Sequence, residues 1–282
     1  MLKIGNTNTL TVTRVSNFGL YLTSSQGEIL LPNRYVTPAM EVGHPLDVFV
    51  YTDSEDRLVC VTDQPLAEVG EFAALRVKEV TSFGAFLDWG LEKDLLLPFK
   101  EQLYPVRTGD TVVVRVCLDP RTQRVIAVAK LQPFFRRDTS ALQPKQEVSV
   151  MAFQETDLGY KVLVERQYEG LVYRSEVFKP LRIGESHTAY VKKIRNDGKL
   201  DISLQPVETV AGIDASRETV LQKLTEAEGY LPYHDKSDPA DIQHAFGLSK
   251  KAFKRAVGGL YRDKQIMLED EGIRLIAPSP SQ

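Results

Sequence analysis

One plan of short strands occurs three times in this chain, and that constrains the fold more than any other feature. The first copy runs from LTVTRVSNFGLYLTSSQGEILLPNRY through GHPLDVFVYTDSEDRLVCVT. The second runs from FAALRVKEVTSFGAFLDWGLEKDLLLPFKEQ through GDTVVVRVCLDPRTQRVIAVA. The third runs from EVSVMAFQETDLGYKVLVERQYEGLVYRSEV through GESHTAYVKKIRNDGKLDISL. Each copy opens with a β-branched strand that reaches an FG or LG step and turns into a second strand. An apolar third strand follows (ILLP, LLLP or GLVY), then a polar connection. Gly43, Gly109 or Gly184 opens a fourth strand, and a DSED, DPRTQ or NDGK turn leads to the fifth. Leu200, Ile202 and Leu204 alternate with the period of two that a strand requires, and Asn-Asp-Gly at 196–198 is a hairpin signal. Five short strands without a helical period between them predict a small barrel, which closes its own edges. Internal repetition at this spacing makes it an array of such barrels.

After residue 205 the pattern changes. ASRETVLQKLTEAEGYL places Val220, Leu221 and Leu224 at helical spacing, with Ser216 as its expected N-cap. DPADIQHAFG predicts a second helix, capped by Asp238, opened by Pro239 and stopped by Gly247. SKKAFKRAVGGLYRDKQ predicts a third, and IMLEDEGIRLIA predicts two strands around an EDEG turn. Three helices and a hairpin make a winged helix. The expected architecture is therefore mostly β, with three five-stranded OB-fold barrels in tandem and a small α+β C-terminal domain. The boundaries are 1–64, 65–131 and 145–205 for the barrels, 132–144 for a connector held by Phe134 and Phe135, and 206–282 for the winged helix.

The FG steps carry a further pattern. Phe18 and Tyr21 bracket Gly19, and Phe83 and Phe86 bracket Gly84. A regular strand sends residues three apart to opposite faces, but a turn or bulge at the glycine brings both rings to one face. Two rings on one face of an OB-fold form a platform for stacking bases. The competing reading is that one ring of each pair plugs its barrel.

TSFGAFLDWG, the apolar strand after it and the Asp119-to-Arg124 turn resemble the S-one-type RNA-binding domain, a five-stranded OB-fold barrel. Three such barrels followed by a winged helix resemble the conserved virulence factor B family of bacterial RNA-binding regulators. The resemblance covers nearly the whole chain. It implies a histidine in the third strand and an acidic and a basic residue around the last turn. Leu31 and Leu97 are assigned to the histidine place in the first two barrels and Tyr173 to it in the third, where it joins the stacking candidates. Asp53 with Arg57, and Asp119 with Arg124, match the turn pair, and Asn196 with Lys199 approximates it. The third barrel lacks the aromatic pair: Leu158, Gly159 and Lys161 stand there, with Tyr160 one place off.

Net charge is −3, and residues 1–63 hold four Lys and Arg against seven Asp and Glu. No domain is strongly basic, so local clusters matter, and phosphate binding would be modest and salt-sensitive. Lys192, Lys193, Arg195 and Lys199 cluster around the last hairpin of the third barrel. Lys250, Lys251, Lys254 and Arg255 share one face of the third winged-helix helix, opposite Phe253, Val257 and Leu260. That helix corresponds to the recognition helix of helix-turn-helix proteins. A solvated charged face is the alternative for both clusters. Glu269, Asp270 and Glu271 in the wing turn disfavour a wing lying deep in a DNA groove.

The four histidines are scattered and the two cysteines, Cys60 and Cys117, have no metal-ligand spacing. No phosphate-binding glycine loop is present. The sequence thus predicts a non-enzymatic, cofactor-free and metal-free cytoplasmic protein with no signal peptide or membrane segment. Its predicted partner is single-stranded RNA, with a role in gene expression after transcription implied by the resemblance. DNA or a ribosome-associated protein remain alternative partners. A winged-helix transcription regulator and a protein-interaction scaffold remain alternative functions.

Overall fold

The computed structural model describes residues 1–177, 180–206 and 210–276. It divides into two compact units, Met1–Pro206 and Val207–Gln282. The first unit holds three closed five-stranded barrels with one shared strand order. Barrel one comprises β1 (Asn6–Ser16), β2 (Gly19–Ser24), β3 (Gly27–Pro32), β4 (Pro45–Thr52) and β5 (Leu58–Val61). Barrel two comprises β6 (Phe72–Val80), β7 (Gly84–Asp88), β8 (Leu95–Pro98), β9 (Thr111–Leu118) and β10 (Val125–Val128). Barrel three comprises β11 (Glu147–Thr156), β12 (Gly159–Val164), β13 (Tyr168–Tyr173), β14 (Ser186–Ile194) and β15 (Leu200–Ser203).

The same device bends the first strand of every barrel. Its pairing with the second strand slips by one residue between Val12 and Arg14, between Val77 and Glu79, and between Ala152 and Gln154. A bulge there increases the twist and lets a long strand serve two sides of the barrel. The carbonyl just before each bulge accepts the amide of the repeated glycine: Gly43 to Val12, Gly109 to Val77 and Gly184 to Ala152, each at 2.8 Å. Alternate residues fill the interiors. Leu20, Leu22, Ile29 and Leu31 do so in barrel one, and Leu75, Leu87, Leu95 and Leu97 in barrel two, all at most 2 % exposed. Each such side chain contributes roughly 1.5–3 kcal/mol of burial.

Apolar seams join the barrels. Phe49 and Tyr51 of β4 meet the Trp89 ring edge-on, with centroids 5.6 and 6.4 Å away, so barrel one closes part of barrel two's core. Between barrels two and three, Phe135 of the connector stacks on Phe72 at 6.3 Å and packs on Phe153 at 5.7 Å. Phe153 is the bulged residue of β11, so the bulge that bends the strand also turns a ring outward to the seam.

The second unit contains α1 (Val210–Glu226), β16 (Tyr230–Leu231), α2 (Pro239–Phe246), α3 (Lys250–Arg262), β17 (Ile266–Glu269) and β18 (Gly272–Leu275). Its sheet order is β16-β18-β17, so the hairpin gains a short third strand that the sequence reading lacked. Asp238 caps α2 through the Ala240 amide at 2.8 Å, Gly247 ends it at φ 66°, and Ser249 caps α3. Ser216 is no cap. It lies buried inside α1, which begins six residues earlier, because the apolar and small residues before it continue the helix. No helix among the described residues is long and apolar enough to cross a membrane.

Candidate nucleic-acid interface

Each barrel presents its FG or LG step by the same local chemistry. The hydroxyl of Ser16, Thr81 or Thr156 donates to the carbonyl of Gly19, Gly84 or Gly159, at 2.9, 3.3 and 2.8 Å. In the first two barrels that hydroxyl also accepts the amide of Phe18 or Phe83. The glycines sit at φ 146°, 153° and 141°. A Cβ on any of them would collide with the backbone of the facing strand, at Leu31, Leu97 or Val172. Only glycine permits this close approach, and it pins the preceding residue at the tip of the turn. The result is exposure: Phe18 is 72 % and Phe83 74 % exposed. Leu158 holds the same place in barrel three and is exposed without offering an aromatic face.

The second ring of each pair differs between barrels. Tyr21 is half-buried, and the Arg14 guanidinium lies 3.6 Å from its ring centroid. Arg14 is held there by Glu28 at 2.9 Å, so one face of Tyr21 is already covered. In barrel two Glu79 stands opposite Phe86, in the place of Arg14, and Phe86 carries no cation among the described residues. Phe83 and Phe86 line one groove of about 430 Å³. Lys93 and Arg124 also line it, and its floor includes Leu95, Leu96 and Ile126. Lys93 is half-buried and donates to the Thr52 carbonyl at 2.7 Å. Burial, with Arg124 nearby, holds its ammonium below the ordinary lysine value. The sequence reading missed Lys93 because nothing in the GLEKD loop marks one lysine as facing a groove. The neighbouring Trp89, the single tryptophan of the chain, was the available signal.

Strand register corrects the assignment of the histidine place. Gly159 faces Tyr173, but Gly19 faces Pro32 and Gly84 faces Pro98. The equivalents of Tyr173 are therefore Pro32 and Pro98, one residue beyond Leu31 and Leu97. A slip of one reverses the face, and both leucines point into the cores at 0 % exposure. The last turn is also re-registered. Asp53 pairs its amide with the Arg57 carbonyl, Asp119 with Arg124, and Arg195, not Asn196, with Lys199, each at 2.9 Å. At this corner barrel three carries a cation where the others carry a carboxylate.

Most of the candidate cations are engaged. Arg57 bridges Asp53 at 2.8 Å and Glu55 at 2.8 Å. The hydrogen bond to Asp53 raises its pKa further. Arg124 pairs with Asp56 of barrel one, and that bond holds the Asp56 carboxyl below the ordinary carboxylate value. Lys192 pairs with Glu176, and Lys199 lies 3.1 Å from Glu169. Arg195 donates to Asp201 at 2.8 Å and to the Tyr173 hydroxyl at 2.9 Å, which ties the stacking candidate Tyr173 into a polar network. Lys193 is exposed and has no ion pair among the described residues.

In the second unit, Phe253, Val257 and Leu260 of α3 are buried as the helical period requires. Lys251, Lys254 and Arg255 are exposed and Lys250 is half-buried. Lys254 lies 3.8 Å from Asp235. Among the described residues no cluster of His, Cys, Asp and Glu is arranged to hold a metal.

Residues 4–63 match the S1 domain and residues 218–275 match the CvfB-like winged helix domain. The uncharacterized protein YitL of Bacillus subtilis (strain 168) is 30 % identical over 281 residues, covering 95 % of this chain and 92 % of that protein. The conserved virulence factor B of Staphylococcus epidermidis (strain ATCC 12228) is 27 % identical over 83 % of this chain and 81 % of its own. That of Staphylococcus aureus (strain USA300) is 26 % identical over 84 % and 81 %. A solved multidomain protein with nucleic acid binding domains from Streptococcus pneumoniae aligns over 97 % of this chain and 98 % of its own, at 24 % identity and a TM-score of 0.44. With three barrels of one strand order, the first of them matching the S1 domain, a matching winged helix and a relative 30 % identical over 92 % of its own length, the chain belongs to the conserved virulence factor B family.

Proposed function

We propose that this protein binds single-stranded RNA without catalysis and acts on gene expression after transcription. The observation that carries the reading is Phe83, a phenylalanine three-quarters exposed at the tip of a glycine-pinned turn, above a groove it shares with Phe86. An exposed ring costs solubility and contributes little to a core, and bases stack on such rings irrespective of sequence. Phe18 repeats the arrangement in barrel one. Tyr21 and Tyr173 are secondary, since each already has a partner. The phosphate contacts fall first to Lys193, Lys250 and Lys251, with Arg255 beside them on α3; Arg57, Arg124, Lys192, Arg195, Lys199 and Lys254 join only where they exchange a carboxylate for a phosphate. The S1 domain match supports the assignment to nucleic acid. The preference for RNA strands over duplex DNA rests on the exposed rings, which a paired, stacked duplex cannot use.

Fluorescence anisotropy against single-stranded RNA and duplex DNA of equal length, at two salt concentrations, tests this. The reading expects tighter binding to the RNA strand, weakened by salt and by Lys250/Lys251/Lys254/Arg255→Ala. Preferential duplex binding abolished by those substitutions would replace it with a winged-helix DNA regulator, and binding to neither would leave a protein-interaction scaffold.

A further inference from the structure

The groove beneath Phe83 and Phe86 is not built by barrel two alone. Tyr51 and Thr52 at the end of β4, and Ser54 in the turn after it, form one of its walls. All three belong to barrel one. We infer that barrels one and two together form a composite pocket for one unstacked nucleobase of a bound strand, with Arg124 at its rim for the adjoining phosphate. The inference rests on the RNA-binding reading above and specifies where one base goes.

Three observations carry it. The first is size and character. About 430 Å³ lies within the range of small-ligand sites, and the lining is chiefly apolar with a few convergent polar groups, as such sites are. The second is chemistry at the edge. Lys93 holds three donors and spends one on the Thr52 carbonyl, leaving N–H groups for the carbonyl or ring-nitrogen acceptors along a base edge. The third is fixity. The barrel-two segment that carries Trp89, Glu92 and Lys93 is tied to barrel one at several points. Trp89 packs edge-on against Phe49 and Tyr51, Lys93 bonds to Thr52, and Glu92 pairs with Arg34. Arg124, which also lines the groove, pairs with Asp56 of barrel one. A wall held this way is in place before the ligand arrives, which reduces the ordering cost of binding. Neither barrel alone would offer it, because the second wall comes from a different copy of the repeat.

Trp89 makes the pocket observable. It is the only tryptophan and it lines the groove. The full-length protein is titrated with labelled oligouridylate and oligoadenylate of about ten nucleotides, enough to span one OB-fold site. Strand anisotropy and Trp89 emission are recorded together. Ser54→Leu, at an exposed position, fills the pocket from the barrel-one side without adding a stacking ring. For at least one strand, Trp89 emission should change with the same midpoint as anisotropy. Ser54→Leu should abolish that change and weaken binding by about 5- to 150-fold, the loss of one stacked base. Its melting temperature should match the wild type. A strand that binds with Trp89 silent for both oligonucleotides, or that binds Ser54→Leu as tightly as the wild type, would overturn the composite pocket and leave the RNA reading intact. Absence of binding by the wild type would remove the RNA reading itself, and the pocket with it.

Discussion

Replacing Phe83 by alanine separates binding from stability. The ring is 74 % exposed. Taking about 200 Å² for a phenylalanine side chain, about 150 Å² of it lies in water. A base laid on one face hides about half of that, and about 75 Å² at about 25 cal/mol/Å² is about 1.9 kcal/mol. This falls within the roughly 1–3 kcal/mol found for one stacked base. At 1.4 kcal/mol per decade it corresponds to about a 20-fold rise in Kd for single-stranded RNA. The fold should scarcely respond, since a surface substitution of this kind stays within about 0.5 kcal/mol. The assay is anisotropy with a labelled strand, alongside thermal melting. Phe83→Leu decides whether stacking is the cause. Leucine keeps an apolar tip but has no π-face, and Leu158 shows that the turn accepts it in barrel three. Leucine keeps part of the apolar area but none of the ring stacking, so Phe83→Leu should bind between Phe83→Ala and the wild type, and Phe83→Tyr nearly as well as the wild type. Binding by Phe83→Leu equal to the wild type would refute stacking and reduce Phe83 to a nonspecific apolar contact.

Gly84→Ala should lower the melting temperature more than Gly109→Ala. Both sit at positive φ, but only Gly84 would drive a Cβ into facing backbone, whereas Gly109 meets open space; each added kcal/mol should appear as roughly 2–4 °C in a unit of this size. Alkaline stability should depend on Cys60. Burial pushes its thiol up to about 12 from an ordinary value near 9, so the folded state keeps a proton that the unfolded chain releases. Its contribution is full below pH 9 and is lost as pH rises towards 12, and Cys60→Val should flatten that decline in denaturant titrations. The dependence of RNA affinity on salt should be shallow. Lys193, Lys250 and Lys251 have no ion pair among the described residues, and at about 0.7 per phosphate contact on a single strand they give a logarithmic slope near −2. A slope near −7, about what all ten candidate cations would give, would show that the ion pairs do not persist in solution.

The fold was readable because its signals are local. The FG and LG steps, the glycine before each fourth strand and the helical period of Phe253, Val257 and Leu260 all act within a few residues. Strand register was harder to read. Leu31 and Pro32 both suit a third strand, and only pairing with Gly19 shows that the leucine faces inward. The partners of the site residues were not readable at all. Asp56 and Arg124 are 68 residues apart in different copies of the repeat, and neither copy specifies that they meet. Arg14 over Tyr21 is likewise a product of the bulge, which shifts the pairing of β1 by one so that Arg14 stands opposite Tyr21. Sequence supplies the rings and the cations, and tertiary structure decides which of them are already occupied.

That distinction bears on how a chain with net charge −3 can hold a polyanion. Lys192, Arg195 and Lys199 looked like the strongest attraction in barrel three, yet each faces a carboxylate. A phosphate must displace that carboxylate, and the net gain is the difference between two similar bonds. Stacking has no such competitor at Phe18 or Phe83. Affinity in the barrel unit should therefore come mainly from rings, with the cations choosing the path of the backbone. One stacked base is too weak to hold a strand. The apolar seams at Trp89 and at Phe135 change this, because they replace flexible linkers with packed contacts and fix the spacing of the steps. Once a strand occupies one step, the next is an intramolecular event at an effective concentration set by that spacing. The seams, which touch no ligand in this reading, are then as necessary to binding as the rings.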